Sequence, residues 1–201
     1  MSRRRRMLLV STEFPPGPGG IGTQAYQLAR YVSAAGWDVT VLAPQEYVQA
    51  CEAEALDVSL PFPVVRLATE RTFAWRTIAR ARSTRRLVSY LHPDVVVGTG
   101  NWAVWLAVAA CLGRPCRLLA IGHGMEFGRP GRVHQLVNRL AYERADVTVC
   151  VSNYTCARMG EAGVKPRQVE VIPNGGDHEV FRVVSDPAPI YPDARDRKSV
   201  V

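Results

Sequence analysis

The run Met7-Leu-Leu-Val-Ser-Thr-Glu-Phe-Pro-Pro-Gly-Pro-Gly-Gly-Ile-Gly-Thr-Gln-Ala-Tyr-Gln-Leu-Ala-Arg-Tyr-Val-Ser-Ala-Ala-Gly-Trp-Asp-Val-Thr-Val-Leu42 decides the fold. An apolar segment at 7–12 reads as a strand, and it runs through a loop of glycines and prolines into a helix predicted over 22–35. Gly36 stands where the helix C-cap calls for a left-handed residue, and a second apolar segment at 38–43 follows at once. Strands that are apolar on both faces and joined through a helix are the unit of a parallel sheet covered on both sides.

The same alternation continues down the chain. Further strands are predicted at 64–68, 94–97, 116–121, 146–151 and 169–172, with helices at 72–91, 102–112, 133–144 and 153–162, and Gly163 as a second C-cap glycine. Residues 45–56 are ambiguous. The fold class is therefore α/β, a Rossmann-like doubly wound parallel sheet. One domain is expected over 1–181. From Ser185 onward, Pro187, Pro189 and Pro192, many charges and no apolar period predict a disordered tail over 182–201.

Composition narrows the class without choosing the function. Hydrophobic residues make up 47% of the chain and charged ones 21%, as in globular proteins that bury a core. The net charge of +7 is nearly all arginine, since Lys165 and Lys198 are the only lysines. Guanidinium forks match phosphate, so nucleotides, phospholipids and nucleic acid all fit the charge. Cys51, Cys111, Cys116, Cys150 and Cys156 have no zinc or redox spacing and read as small core residues of a cytoplasmic protein. The apolar run after Arg3–Arg6 is too short for a signal sequence, and no stretch is long and apolar enough to span a bilayer.

Three runs carry chemistry. In the first, Gly19-Gly20-Ile21-Gly22 opens a helix directly after the first strand, so main-chain N–H groups and the helix dipole can hold a phosphate or a sugar hydroxyl. Gly20, Gly22 and Ala25 also satisfy the relaxed dinucleotide fingerprint, but residues 13–19 separate them from the strand, which argues against a nicotinamide cofactor. A turn with a purely structural role remains open. The second run, Gly122-His123-Gly124-Met125-Glu126, places a histidine between two glycines just past a buried strand, where ligands of open α/β sheets lie. Glu126 and Arg129 follow it as ligand contacts or as ordinary surface charges. The third, Ile172-Pro173-Asn174-Gly175, forces a turn at the exit of the sheet.

Taken together in order, these runs, Gly36-Trp37-Asp38-Val39 and the segment Asp146-Val147-Thr148-Val149-Cys150-Val151-Ser152 resemble the retaining glycosyltransferases of family 4 with their two-domain GT-B fold. The resemblance covers nearly all of residues 7–181. It implies that this is the N-terminal, acceptor-side domain, that His123 contacts the transferring sugar without acting as nucleophile, and that Gly20 lies near the donor diphosphate. Gly19, Gly22, Asn101, Glu126 and Arg129 complete the expected substrate-binding set, with Ser152, Asn174 and Gly175 at the donor side and hinge. No metal and no cofactor are expected, with a nucleotide sugar as donor and a sugar or lipid-linked acceptor. The donor-binding domain, with its Glu-x7-Glu pair, is expected to be absent, so that the chain alone transfers no sugar. Glu46 and Glu54 share that spacing but fall in the first domain and read as surface charges.

The stretch 66–86 holds Arg66, Arg71, Arg76, Arg80, Arg82, Arg85 and Arg86 around Phe73, Trp75 and Ile78. Two readings stand: peripheral contact with an anionic membrane from the cytoplasmic side, as some relatives that glycosylate lipids make, or a solvated helix face whose aromatics pack on the sheet. Two other functions compete with transfer. One is a non-catalytic nucleotide or sugar-phosphate binding module; the other is nucleic-acid binding, which lacks any motif or aromatic platform here.

Overall fold

The computed structural model describes residues 3–45, 48–67, 73–128 and 130–176. Among these residues seven strands, β1 (Arg6–Ser11), β2 (Asp38–Pro44), β3 (Val64–Leu67), β4 (Val95–Thr99), β5 (Arg117–Gly122), β6 (Val147–Cys150) and β7 (Val169–Val171), form one sheet. Every pairing is parallel, and the order is β3-β2-β1-β4-β5-β6-β7. The α/β doubly wound expectation holds, and each predicted strand sits within two residues of an observed one.

Among the described residues, six α-helices connect the strands: α1 (Gly20–Ala34), α2 (Ala50–Ser59), α3 (Phe73–Leu91), α4 (Asn101–Cys111), α5 (Arg132–Arg144) and α6 (Asn153–Glu161). Two apolar layers result. Leu8, Val10, Val96, Leu118 and Ala120 face α4, Val88 of α3, Tyr142 of α5 and Met159 of α6; Leu9, Val39, Val41, Val97 and Ile121 face Ala25 and Ala29 of α1. Residues alternate between the layers along each strand because successive side chains point to opposite faces. Both expected C-cap glycines are left-handed, Gly36 at φ 87° and Gly163 at φ 71°.

Helix α2 begins within the ambiguous segment 45–56 and runs on to Ser59. Its sequence mixes apolar and acidic residues without a clear face, and only Ala53 is buried, so periodicity has little to register. What fastens it is tertiary. Arg66 on β3 grips both carboxylate oxygens of Asp57 at 2.7 and 2.9 Å, and its guanidinium lies over the Phe14 ring. Arg66 thus belongs to the interior, with its side chain 11% exposed, and not to a basic surface. Glu54 is exposed on α2, as expected, whereas Glu46 and the predicted tail 182–201 lie outside the described residues.

Candidate functional site

The chain winds from β1 through β2 to β3 in one direction, then returns to place β4 on the other side of β1. The loops leaving β1 and β4 therefore diverge, and the crevice between them at the C-terminal edge is where such sheets bind ligands. Thr12 N–H donates to the Thr99 carbonyl at 3.2 Å and holds the two strand ends together. Helix α1 starts on one side of the crevice, α4 on the other, and the His123 loop follows β5 next to β4.

Gly19 caps α1 with φ 137°, a conformation that L side chains rarely adopt, and a Cβ there would run into the Glu13 carboxylate. Gly22 is required for a different reason: a Cβ there would stand 3.1 Å from Phe14 N, so the glycine lets the helix close on the preceding loop. Gly20 has open space around it. The first turn of α1 has no acidic residue and no side-chain cap hydrogen bond, and the Glu13 carboxylate lying against Gly19 faces the positive end of the helix dipole.

His123 is held from two sides. Its ring Nε2 is 2.8 Å from Thr99 Oγ1, and its backbone N–H donates to Glu126 Oε1 at 2.7 Å. Burial pushes the imidazole pKa down, against the opposing pull of the Glu126 and Glu13 charges, so the ring is neutral at neutral pH. Glu126 itself is 5% exposed on the 3-10 turn Met125–Phe127 and is no surface charge. The Tyr142 hydroxyl reaches the same Oε1 at 3.0 Å, and Asn138 Nδ2 donates to the Glu126 carbonyl at 3.2 Å. Helix α5 thereby turns His134, Asn138 and Tyr142 inward and leaves Val133, Leu136, Val137 and Leu140 exposed.

Asn101 opens α4 with its Nδ2 2.7 Å from His134 Nε2, while its Oδ1 is buried without a partner. Ser152 caps α6, where its hydroxyl accepts the Thr155 N–H at 3.1 Å. Asn174 and Gly175 follow β7 as exposed residues at the end of the described chain, and Arg129 lies outside the described residues. The structure thus gathers Gly19, Gly20, Gly22, Asn101 and His123 at one crevice, with Glu126 beneath the histidine. Thr99, Gln24 and Thr12 were not found from sequence. Threonine at a strand end has no signature of its own, and only the β1–β4 adjacency gives it meaning.

A sequence model of Glycosyltransferase Family 4 matches residues 18–180. Among curated proteins, the GDP-mannose-dependent alpha-(1-6)-phosphatidylinositol monomannoside mannosyltransferase of Mycobacterium tuberculosis is 31% identical over 185 residues, covering 91% of this chain and 47% of that protein. Among solved structures, sucrose-phosphate synthase from Thermosynechococcus elongatus superposes with a TM-score of 0.72 at 16% identity, over 91% of this chain and 51% of that one. HepE of Anabaena in complex with UDP gives 0.68 at 14% identity, over 90% and 47%. The chain spans about half the length of these proteins. With the family matched across the crevice and the parallel sheet shared with these structures, the chain belongs to glycosyltransferase family 4 and forms one Rossmann-like half of a GT-B fold.

Proposed function

We propose that this chain is the acceptor-side half of an enzyme that transfers a hexose from a nucleotide sugar to a sugar or lipid-linked acceptor, with retention at the anomeric carbon and without a metal. The observation that carries this reading is the crevice at the β1–β4 switch, where an uncapped helix start lies across from an imidazole fixed by Thr99 and Glu126. In this reading the backbone around Gly20 faces the donor diphosphate, and His123 hydrogen-bonds the transferring sugar. A preorganised, neutral, half-buried imidazole suits that role, since fixed dipoles stabilise developing charge without reorganising. The family and the name of the mycobacterial relative support a nucleotide-sugar donor, and that name also supports a lipid-linked acceptor.

No helix among the described residues is long and apolar enough to cross a membrane. In this reading a lipid-linked acceptor is reached by peripheral contact on the cytoplasmic face. Trp75 and Ile78 on α3 are 63% and 43% exposed, which favours contact over the alternative in which they pack on the sheet.

The test is radiolabel transfer from GDP-mannose and from UDP-glucose to a lipid extract, by a protein that joins this chain to a donor-binding half. His123→Ala should lower kcat about 10–1000-fold with the fold intact, the range for a lost transition-state contact. Unchanged kcat at saturating donor and acceptor removes His123 from the site.

A further inference from the structure

Thr99 is fully buried at the end of β4, and its hydroxyl has two polar neighbours: His123 Nε2 at 2.8 Å and Gln24 Oε1 of α1 at 3.3 Å. The hydroxyl carries a single proton, and an amide carbonyl oxygen can only accept. If that proton goes to Gln24, the shorter bond must be donated by the ring, from Nε2–H to Thr99 Oγ1.

We propose that Thr99 and Gln24 fix His123 in its Nε2–H tautomer, which presents the Nδ1 lone pair to the crevice as a hydrogen-bond acceptor for a sugar hydroxyl. The ligand half of this inference rests on the proposed function; the tautomer half does not. Thr99 and Gln24 are positioning residues and touch no reacting atom. They act on the ring, whereas Glu126 acts on the backbone N–H of the same residue, so orientation and tautomer are set by separate contacts. Burial adds the remaining condition, because a protonated ring would have no lone pair to offer. The same logic sets the tautomer of metal-bound and catalytic histidines, in which the partner of one nitrogen decides the state of the other.

The experiment is long-range proton–nitrogen correlation on the 201-residue chain with nitrogen-15 histidine, ligand-free at neutral pH, with the His123 signals identified by their loss in His123→Gln. The wild type should show a protonated Nε2 and a pyridine-type Nδ1. Thr99→Ser keeps the hydroxyl and should keep that pattern. Gln24→Leu frees the threonine proton for Nε2 and should shift the pyridine-type resonance from Nδ1 toward Nε2, whereas Thr99→Val removes both acceptor and donor and should return the ring to the tautomer ratio of an unconstrained imidazole. Gln24 is only half-buried, so its variant remains informative if the buried Thr99→Val does not fold. A wild-type ring protonated mainly on Nδ1, or a pattern unchanged in Gln24→Leu, overturns the inference. Because no sugar is present, failure of sugar transfer leaves this result standing, and failure here leaves the transferase reading standing.

Discussion

The backbone N–H of His123 and the hydroxyl of Tyr142 converge on a single carboxylate oxygen of Glu126, at 2.7 and 3.0 Å. A carboxylate that is 5% exposed and accepts two buried donors fastens the loop to α5. Glu126→Ala should orphan the His123 N–H, while the Tyr142 hydroxyl keeps the Ile121 carbonyl at 3.2 Å, and should cost about 1–3 kcal/mol, read by urea denaturation. Glu126→Gln retains an acceptor and should cost less. Equal stability of the alanine variant and the wild type would mean that the loop is held elsewhere.

His123 also sets a pH dependence. Its folded pKa lies below the ordinary 6.5 because burial outweighs the charges of Glu126 and Glu13 that face it. The unfolded chain then binds the proton more readily than the native one. This contribution to stability is present above about pH 6.5 and is lost as the pH falls toward the folded value. The difference in denaturation midpoint between wild type and His123→Gln, followed from pH 7.5 down to about pH 5, should shrink on the acid side. A difference independent of pH would mean that the ring titrates normally.

Gly20 and Gly22 should separate cleanly. Gly20 is not left-handed and has open space, so Gly20→Ala should be neutral or raise stability by about 0.4–1 kcal/mol through the unfolded chain. The positive φ of this turn belongs to Gly19, so a larger side chain at Gly20 acts on ligand only by crowding. Gly22→Ala places its Cβ 3.1 Å from Phe14 N and 3.3 Å from Glu13 backbone, and should cost about 1–3 kcal/mol. Thermal melts of the two variants give the comparison, and equal melting points would show that the loop before α1 yields freely.

The sheet was legible because parallel strands are apolar on both faces and glycines punctuate the helix ends, at Gly36 and Gly163. The site was legible only as far as a residue announces itself. His123 between glycines does so, and so does the glycine turn before α1. Thr99 does not, because its importance comes from strand order, and order is a long-range property of the pairing. Glu126 was placed among the ligand contacts on its spacing from His123, but its Oε1 faces inward to the His123 backbone and Tyr142. Arginine misled in the same way. Arg80 counts toward a basic stretch in sequence, yet it is 7% exposed with its guanidinium 4.4 Å from the centre of the Trp102 ring.

What survives of that stretch is a narrower surface. Arg82, Arg85 and Arg86 are exposed on one side of α3 and, with Arg114, Ser89 and Tyr90, line an open groove of about 500 Å³. Trp75 and Ile78 stand out one to three turns toward the start of the helix. An amphipathic arrangement of this kind, with arginines for lipid phosphates and aromatics for the interface, is expected to bind anionic vesicles reversibly, at roughly 1 kcal/mol per arginine near the surface. Liposome flotation should recover the chain with phosphatidylglycerol vesicles and not with phosphatidylcholine, and recovery should fall with salt as the surface charge is screened. Arg82→Glu, Arg85→Glu and Arg86→Glu together should abolish it. Leu136→Glu and Leu140→Glu on the exposed face of α5 provide the contrast, since loss of binding in that pair alone would move the contact to α5. Equal recovery with neutral and anionic vesicles would leave the α3 surface as a solvated helix face, and the acceptor would have to reach the crevice without help from the membrane surface.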